Sequence, residues 1–259
     1  MNTIEKYNRL EELKKLVIQK KRLMVEDVVE YFNVSYPTAR RYIQEVLTDN
    51  RDLKKIRNGI GLVSDIRESE IYFEEKLNIN IEAKKSIAKK CASLILEGET
   101  IIIDSGSTCY FFAQEIYHKN LKVVSTDIKI SMELIDNKNI SVYTIGGEIR
   151  KGYYSIGGEI AKENIKNFFV NTAIMSADAV DLERGITNAD VFEVPVKKEL
   201  RKCSERLILI VDSSKFNCNS FYHIMPLSNI DIIITDSNID KDIQKKIKEE
   251  KNIELIIVW

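Results

Sequence analysis

Asp104-Ser105-Gly106-Ser107-Thr108 follows three isoleucines and precedes an apolar-periodic run that reaches Ile116. The order predicts a buried strand, a polar loop and a helix N-terminus. Backbone N–H groups in such a loop converge on an anion, the hydroxyls donate further bonds and the helix dipole favours negative charge, so the stretch suits a phosphate. Five more apolar runs end in small or polar residues: Ser125-Thr126-Asp127, Gly146-Gly147-Glu148, Ser176-Ala177-Asp178, Asp212-Ser213-Ser214-Lys215 and Thr235-Asp236-Ser237. Lys197 and Lys215 would offset a ligand's charge. The same groups hold the ingredients of acid–base chemistry on a bound ligand. Asp104, Glu193 or Asp178 would be the base, and Lys197 or Lys215 the electrophile.

Other chemistries fit less well. The chain has neither G-x-x-x-x-G-K-[ST] nor G-x-G-x-x-G, which disfavours an NTPase or a dinucleotide enzyme. Cysteines 91, 109, 203 and 218 stand far apart, with only His118 and His223 to join them. That pattern argues for reduced thiols in a cytoplasm and against a zinc site, and neither metal nor cofactor is expected. No run approaches the roughly 18 apolar residues of a membrane span, and charge from Glu5 onward is unlike a secretory signal.

The elements that must position these groups follow from hydrophobic patterning. Residues 100–104, 121–125, 140–145, 172–176, 206–211, 230–235 and 253–259 form short, continuously apolar runs. Helical stretches at 82–96, 108–118, 127–136 and 190–204 alternate with several of them. The pattern predicts a mostly parallel sheet covered on both faces, with ligands outside the carboxyl ends of its strands. With 259 residues, 44% of them apolar, the chain has ample material for such a core beside a second, smaller domain.

That smaller domain lies at the start. Residues 1–60 carry 13 Lys/Arg against 9 Asp/Glu, a balance of +4, whereas the whole chain is at -1. Amphipathic helices are predicted at 3–20 and 25–32, the second without a usual cap at Met24. In NVSYPTARRYIQEVL, Ser35 is the expected N-cap and Pro37 falls in the first turn. Ala39, Ile43, Val46 and Leu47 then make an apolar face, leaving Tyr36, Pro37, Arg40, Arg41 and Gln44 exposed, with Thr38 beside them. Next, LKKIRNGIGLV reads as a hairpin about Asn58-Gly59 with Lys54, Lys55 and Arg57 on it. Helix, helix, basic helix and basic hairpin in that order predict a winged helix-turn-helix, with arginines reading guanine and phosphate and Gln44 reading adenine in double-stranded DNA. The domains are expected at residues 1–63 and 81–259, with 64–80 a linker carrying a docking segment at Ile71-Tyr72-Phe73.

Taken together, VSYPTARRYI, DSGST, VVSTD, TIGGEIRKG, GITNADVFEVPVKK, VDSSKF and PLSNIDIIITD resemble the DeoR/GlpR family of bacterial transcriptional regulators over nearly the full length. The resemblance implies an N-terminal winged helix and a C-terminal sensor similar to ribose-5-phosphate isomerase. It further implies an even-numbered homo-oligomer bound to an operator, with a phosphorylated sugar that commonly lowers DNA affinity. Matched by position, Asp104 to Thr108 become the phosphate or sugar loop with Thr126 and Asp127 beside it. Gly146 and Gly147 let backbone approach the ligand, and Asp178, Glu193, Lys197 and Lys215 line the sugar end. Arg40 and Arg41 are the paired arginines of the recognition helix. Tyr42 stands where the family has an acid, Arg57-Asn58-Gly59-Ile60-Gly61 replaces a His-Gly-Gly-Ala-like run, Ser107 replaces Thr, and Ser125-Thr126-Asp127 replaces a Thr-Asn pair. An aspartate at 127 would repel a phosphate unless it faces sugar hydroxyls.

Overall fold

In a computed structural model, the described residues are 3–20, 22–48, 50, 53–56, 58–62, 73–250 and 252–259. The chain divides into two compact units, Met1–Ile71 and Tyr72–Trp259.

The first unit runs α1 (Thr3–Lys20), β1 (Arg22–Met24), α2 (Val25–Phe32), α3 (Tyr36–Thr48), β2 (Leu53–Ile56) and β3 (Gly59–Leu62). Its core gathers Leu13 and Val17 of α1, Val28 of α2, Ala39, Ile43 and Val46 of α3, and Ile60 of β3. Helix α2 starts without Ser or Thr because Asp27 Oδ2 accepts the Met24 N–H at 2.7 Å, satisfying a donor that the helix leaves open. Ser35 departs from expectation. Its carbonyl accepts the Ala39 N–H, but its hydroxyl lies 3.0 Å from Thr38 Oγ1 rather than on a backbone amide of α3. Tyr42 also departs: it is fully buried and meets Phe32 edge-on with centroids 6.2 Å apart. The position where the family has an acid is therefore a core position here.

The hairpin is part of a three-stranded sheet of order β1-β3-β2. Strand β1, which periodicity does not reveal in three residues, supplies the third member. Asn58 turns the chain at φ 57°, donates through Nδ2 to Glu26 Oε1 at 2.7 Å, and gives its carbonyl to the Val25 N–H at 2.6 Å. Gly59 then pairs with Met24 so closely that a Cβ would overlap the Leu23 carbonyl oxygen and lie 3.0 Å from Met24 Cα.

The second unit opens with α4 (Phe73–Leu77) and α5 (Ile81–Ser93), followed by β4 (Thr100–Ile103), α6 (Ser107–Glu115), β5 (Leu121–Ser125), α7 (Ile128–Leu134) and β6 (Ile140–Thr144). A hairpin of β7 (Glu148–Ile149) and β8 (Ile156–Gly157) leads to α8 (Gly158–Ile165) and β9 (Val170–Met175). Then come β10 (Ala179–Asp181), β11 (Gly185–Asn188), α9 (Val194–Leu200), β12 (Ser204–Ile210), β13 (Tyr222–Met225), β14 (Ile232–Asp236), α10 (Lys241–Glu249) and β15 (Glu254–Val258). Seven strands form one all-parallel sheet in the order β15-β14-β12-β9-β4-β5-β6. Alternate residues feed opposite faces, as the two-residue period of a strand requires. Ile102, Ala173, Met175, Leu207, Leu209 and Ile233 join one core with Ala161 and Ile165 of α8, Leu200 of α9 and Ile243 of α10. Ile101, Ile103, Ile174, Ile208, Ile210 and Ile234 join the other with Ile87 of α5, Phe112 of α6 and Ile130 of α7. Cys91, Cys109 and Cys203 are buried, Cys218 is exposed, and all four are free thiols.

Several boundaries and elements differ from the sequence reading. The helix expected at 190–204 is Val194–Leu200, because Val191 to Glu193 are held in the turn before Pro195. An antiparallel sheet of order β10-β11-β13 and the β7-β8 hairpin lie outside the parallel pattern. Within the stretch expected to link the domains, 64–72 fall outside the described residues and α4 is helical, with Phe73 buried.

Gly59→Ala should destabilise the first unit by about 1–3 kcal/mol, the usual cost of overpacking a filled site. Denaturant unfolding followed separately in each unit should show that transition move while the sheet's transition stays put.

Candidate functional site

All six small, polar segments lie at carboxyl ends of parallel strands: after β4, β6, β9 and β12, and at the ends of β5 and β14. Parallel pairing brings the β4 and β9 ends together. The Asp104 N–H donates to Ile174 O at 2.9 Å, and Asp104 Oδ2 accepts the Ser176 N–H at 3.1 Å. Ser176 Oγ donates to Ser105 O at 2.7 Å. Gly106 takes φ 112°, and a Cβ there would lie 2.7 Å from Ser176 Oγ, so both conformation and space require glycine.

Asp104 forms a buried ion pair with Lys197 of α9, each side chain only 2% exposed. Lys197 also donates to Ser176 O at 3.1 Å and stands 3.8 Å from Glu193, one helical turn before it. Burial pushes the Asp104 carboxyl above its ordinary value against the pull of Lys197. Burial alone would lower the Lys197 ammonium, but the carboxylates of Asp104 and Glu193 outweigh it and hold the group above its usual value. Glu193 in turn accepts from Asn188 Nδ2 at 3.2 Å and faces Arg150 Nη1 at 3.9 Å, while Arg150 Nη2 donates to Asp190 Oδ2 at 2.7 Å.

Asp127 is buried and caps α7, its Oδ1 accepting the N–H groups of Lys129 at 2.8 Å and Ile130 at 3.2 Å. Its Oδ2 is buried with no hydrogen-bond partner among the described residues. Burial pushes this carboxyl up to about 7, and the amides of Ile130, Lys129 and Gly106 pull it only partly back. Thr126 is buried next to it, its hydroxyl 3.5 Å from Asp104 Oδ1. Two carboxyl groups thus flank the Asp104–Thr108 loop, whose Ser105, Ser107 and Thr108 are themselves buried.

Asp178 and Lys215 belong to a second charged group. Asp178 pairs with Lys76 of α4 at 3.1 Å and accepts the Ala189 N–H at 3.1 Å. Burial would raise its carboxyl, but Lys76, that amide and Lys215 hold it down at about 2. Lys84 of α5, only 4% exposed, donates to the Lys76 carbonyl. Burial lowers its ammonium to about 8; Asp212 opposes this, while Lys215 and Lys76 add to it. Asp212 accepts from Asn80 Nδ2 at 3.0 Å.

The glycines at 146 and 147 have a different surrounding. Gly146 donates its N–H to Asn164 Oδ1 at 3.0 Å. At Gly147, φ 156°, a Cβ would lie 2.7 Å from Ala161 Cβ and 2.9 Å from Ile156 Cγ2. The chain's own packing occupies the space those glycines open. Sequence reasoning missed Lys76 and Lys84. Lys84 shares α5 with several exposed lysines, and Lys76 falls in a stretch without clear period, so only the tertiary fold singles either out.

In the first unit, α3 presents Tyr36, Pro37, Arg40, Arg41 and Gln44 on its exposed side, with Thr38 half-buried. Lys55 of β2 is exposed; Arg57 and the side chain of Lys54 lie outside the described residues. Among the described residues no helix is long and apolar enough to cross a membrane, and no cluster of ligating side chains suits a metal ion.

Residues 9–65 match the DeoR-like helix-turn-helix domain, and residues 79–237 match the DeoR C terminal sensor domain. The chain is 30% identical over 244 residues to the HTH-type transcriptional regulator GolR of Listeria innocua, covering 94% of this chain and 95% of GolR. It is also 30% identical over 261 residues to a lactose phosphotransferase system repressor of Staphylococcus epidermidis, covering 98% of this chain and 100% of that one. Ribose 5-phosphate isomerase A from Methanocaldococcus jannaschii superposes with a TM-score of 0.40 and 18% identity, over 53% of this chain and 55% of that one.

Asp127 yields a pH dependence of defined sign. With a folded value near 7 against an ordinary 3.8, the folded state binds more protons between those values, so this group's contribution favours folding at low pH and is lost as pH rises to about 7. Asp127→Asn keeps an acceptor for the α7 amides but cannot ionise. Its melting temperature should gain on the wild type between about pH 4 and pH 7 and hold a constant lead above that range. A constant difference across that whole range would contradict the assignment.

Proposed function

Since the chain belongs to the DeoR family of DNA-binding transcriptional regulators, we propose that it represses a carbohydrate-utilisation operon and is released from its operator by a phosphorylated sugar. One observation carries this reading. The same chain joins a helix with adjacent exposed arginines to a cluster of five carboxylates and four lysines at the strand ends of the second unit: Asp104, Asp127, Asp178, Glu193 and Asp212 with Lys76, Lys84, Lys197 and Lys215. Carboxylates recognise sugar hydroxyls, and ammonium groups recognise a phosphate. Arg40, Arg41 and Gln44 would reach base edges or phosphates in the major groove, with Lys54, Lys55 and Arg57 on the backbone beside it. An even-numbered oligomer in the cytoplasm, bound to two half-sites, fits this reading.

Turnover by an isomerase is the second reading, favoured by the carboxylate and lysine chemistry alone. It meets a physical obstacle. Asp104 and Lys197 are tied to one another at 2% exposure each, so neither is free to take a proton from a sugar carbon or to polarise a carbonyl. Occupancy by a ligand requires less rearrangement than catalysis.

Arg40→Ala should weaken binding to an operator recovered from a random duplex pool by about ten-fold or more, in line with 1–3 kcal/mol for one good contact, without shifting the melting temperature. Unchanged affinity in a gel-shift titration would remove Arg40 from the interface. Ribose 5-phosphate, glucose 6-phosphate and fructose 1-phosphate should be tested for a rise in melting temperature and for ketose–aldose exchange. Stabilisation by at least one of them without exchange is the expected result, and exchange abolished by Glu193→Gln would favour the enzyme.

A further inference from the structure

Residues 73–80 lie at the start of the second unit, and among the described residues most of their long-range contacts reach charged or aromatic groups around the site. Phe73 is buried, donates its N–H to Gly152 O at 3.1 Å, and packs edge-on against Tyr110 and Tyr154 with centroids 5.7 and 5.6 Å away. Lys129, two residues beyond Asp127, lies over the Phe73 and Tyr154 rings at 5.1 and 4.9 Å and pairs with Glu74. Lys76 pairs with Asp178, its carbonyl is held by Lys84, and Asn80 Nδ2 donates to Asp212 Oδ1 at 3.0 Å. A five-residue helix cannot hold itself in water, so these contacts are what keep α4 in place.

The charge balance is uneven. Among the described residues, Lys76, Lys84 and Lys215 lie close to one another and to Asp178 and Asp212, three ammonium groups beside two carboxylates. At the Asp104–Thr108 loop the ammonium of Lys197 is already taken by Asp104, and the Asp127 carboxyl stands beside it with one oxygen unpartnered among the described residues. An anion is therefore better received by the lysine group than by the loop. Lys84 is nearly stripped of water and is bound only to a neutral carbonyl among its described hydrogen bonds, so a phosphate oxygen is a stronger partner than the one it has.

We propose that residues 73–80 are a strap that senses the ligand by competing with it: the phosphate of a phosphorylated sugar takes Lys84 and Lys76, the Lys76 carbonyl loses Lys84, Asp178 loses Lys76 and keeps the Ala189 amide, and α4 detaches. The proposal rests on reading this unit as a sugar-phosphate sensor. It supplies what any ligand-driven change needs, an interaction that differs between two states, because the same ammonium groups serve the strap in one and the ligand in the other. In sequence, residues 63–72 join the strap to the DNA-binding unit.

Hydrogen exchange of the full-length protein tests this, read on peptides spanning 73–84, with inorganic phosphate and the three sugar phosphates as probes and ribose as the uncharged control. A phosphorylated probe that raises the melting temperature should accelerate exchange in this segment several-fold, with protection gained at the strand ends. Lys76→Met, without ligand, should show the same acceleration, and Lys84→Met should weaken binding of the stabilising probe at least ten-fold while remaining folded by circular dichroism. A stabilising probe that leaves the segment's exchange unchanged or slower overturns the strap and leaves the sensor standing. No stabilisation by any phosphorylated probe overturns both.

Discussion

The buried pair of Asp104 and Lys197 is the constraint on which the second unit's chemistry depends. An isolated charge in that position would carry a large desolvation penalty, so neither residue is tenable without the other. Asp104 leaves β4, Ser176 leaves β9, and Lys197 rises from α9, so the pair fastens one helix to the two central strands of the sheet. Around it the loops have little freedom. Ser176 must approach Gly106, and Glu193 must stay within reach of both Lys197 and Arg150.

With that pair closed, the site divides into regions of opposite bias. Near the Asp104–Thr108 loop, carboxyl groups prevail and one Asp127 oxygen has no partner among the described residues. Near α4 and α5, ammonium groups prevail. A ligand that carries hydroxyls at one end and an anion at the other matches this polarity, whereas an anion alone matches only half of it. The substitution that looked awkward in the sequence, aspartate at 127, is thus consistent with the loop serving hydroxyls.

Much of this was legible in the chain. The inner parallel strands announce themselves as apolar runs because they are buried on both faces, whereas the edge strands β6 and β15 are only partly covered, and the exposed side of α3 follows from helical spacing. What stayed hidden was decided by partners distant in sequence. Tyr42 is read only as a departure from the family's acid until Phe32 is seen against its ring. Gly147 is read as room for a ligand until Ala161 and Ile156 fill that room. Lys76 and Lys84 carry no local signal, since nothing nearby reveals that Asp178 and Asp212, more than a hundred residues on, will face them. The strands β1, β10 and β11 are too short for alternation to register.

The order of strands in the sheet also bears on how the chain comes to be folded. The central neighbours β4 and β9 are about seventy residues apart, and Asp104 meets Lys197 only 93 residues further along the chain. In contrast, the three strands and three helices described in the first unit lie within its first 62 residues. Contacts that close small loops form sooner than those that close large ones. On a ribosome the DNA-binding unit completes its core while β4 still lacks its inner neighbour, and Asp104 has no counter-charge until α9 has been made. The DNA-binding unit therefore completes its core before the charged site of the second unit can close.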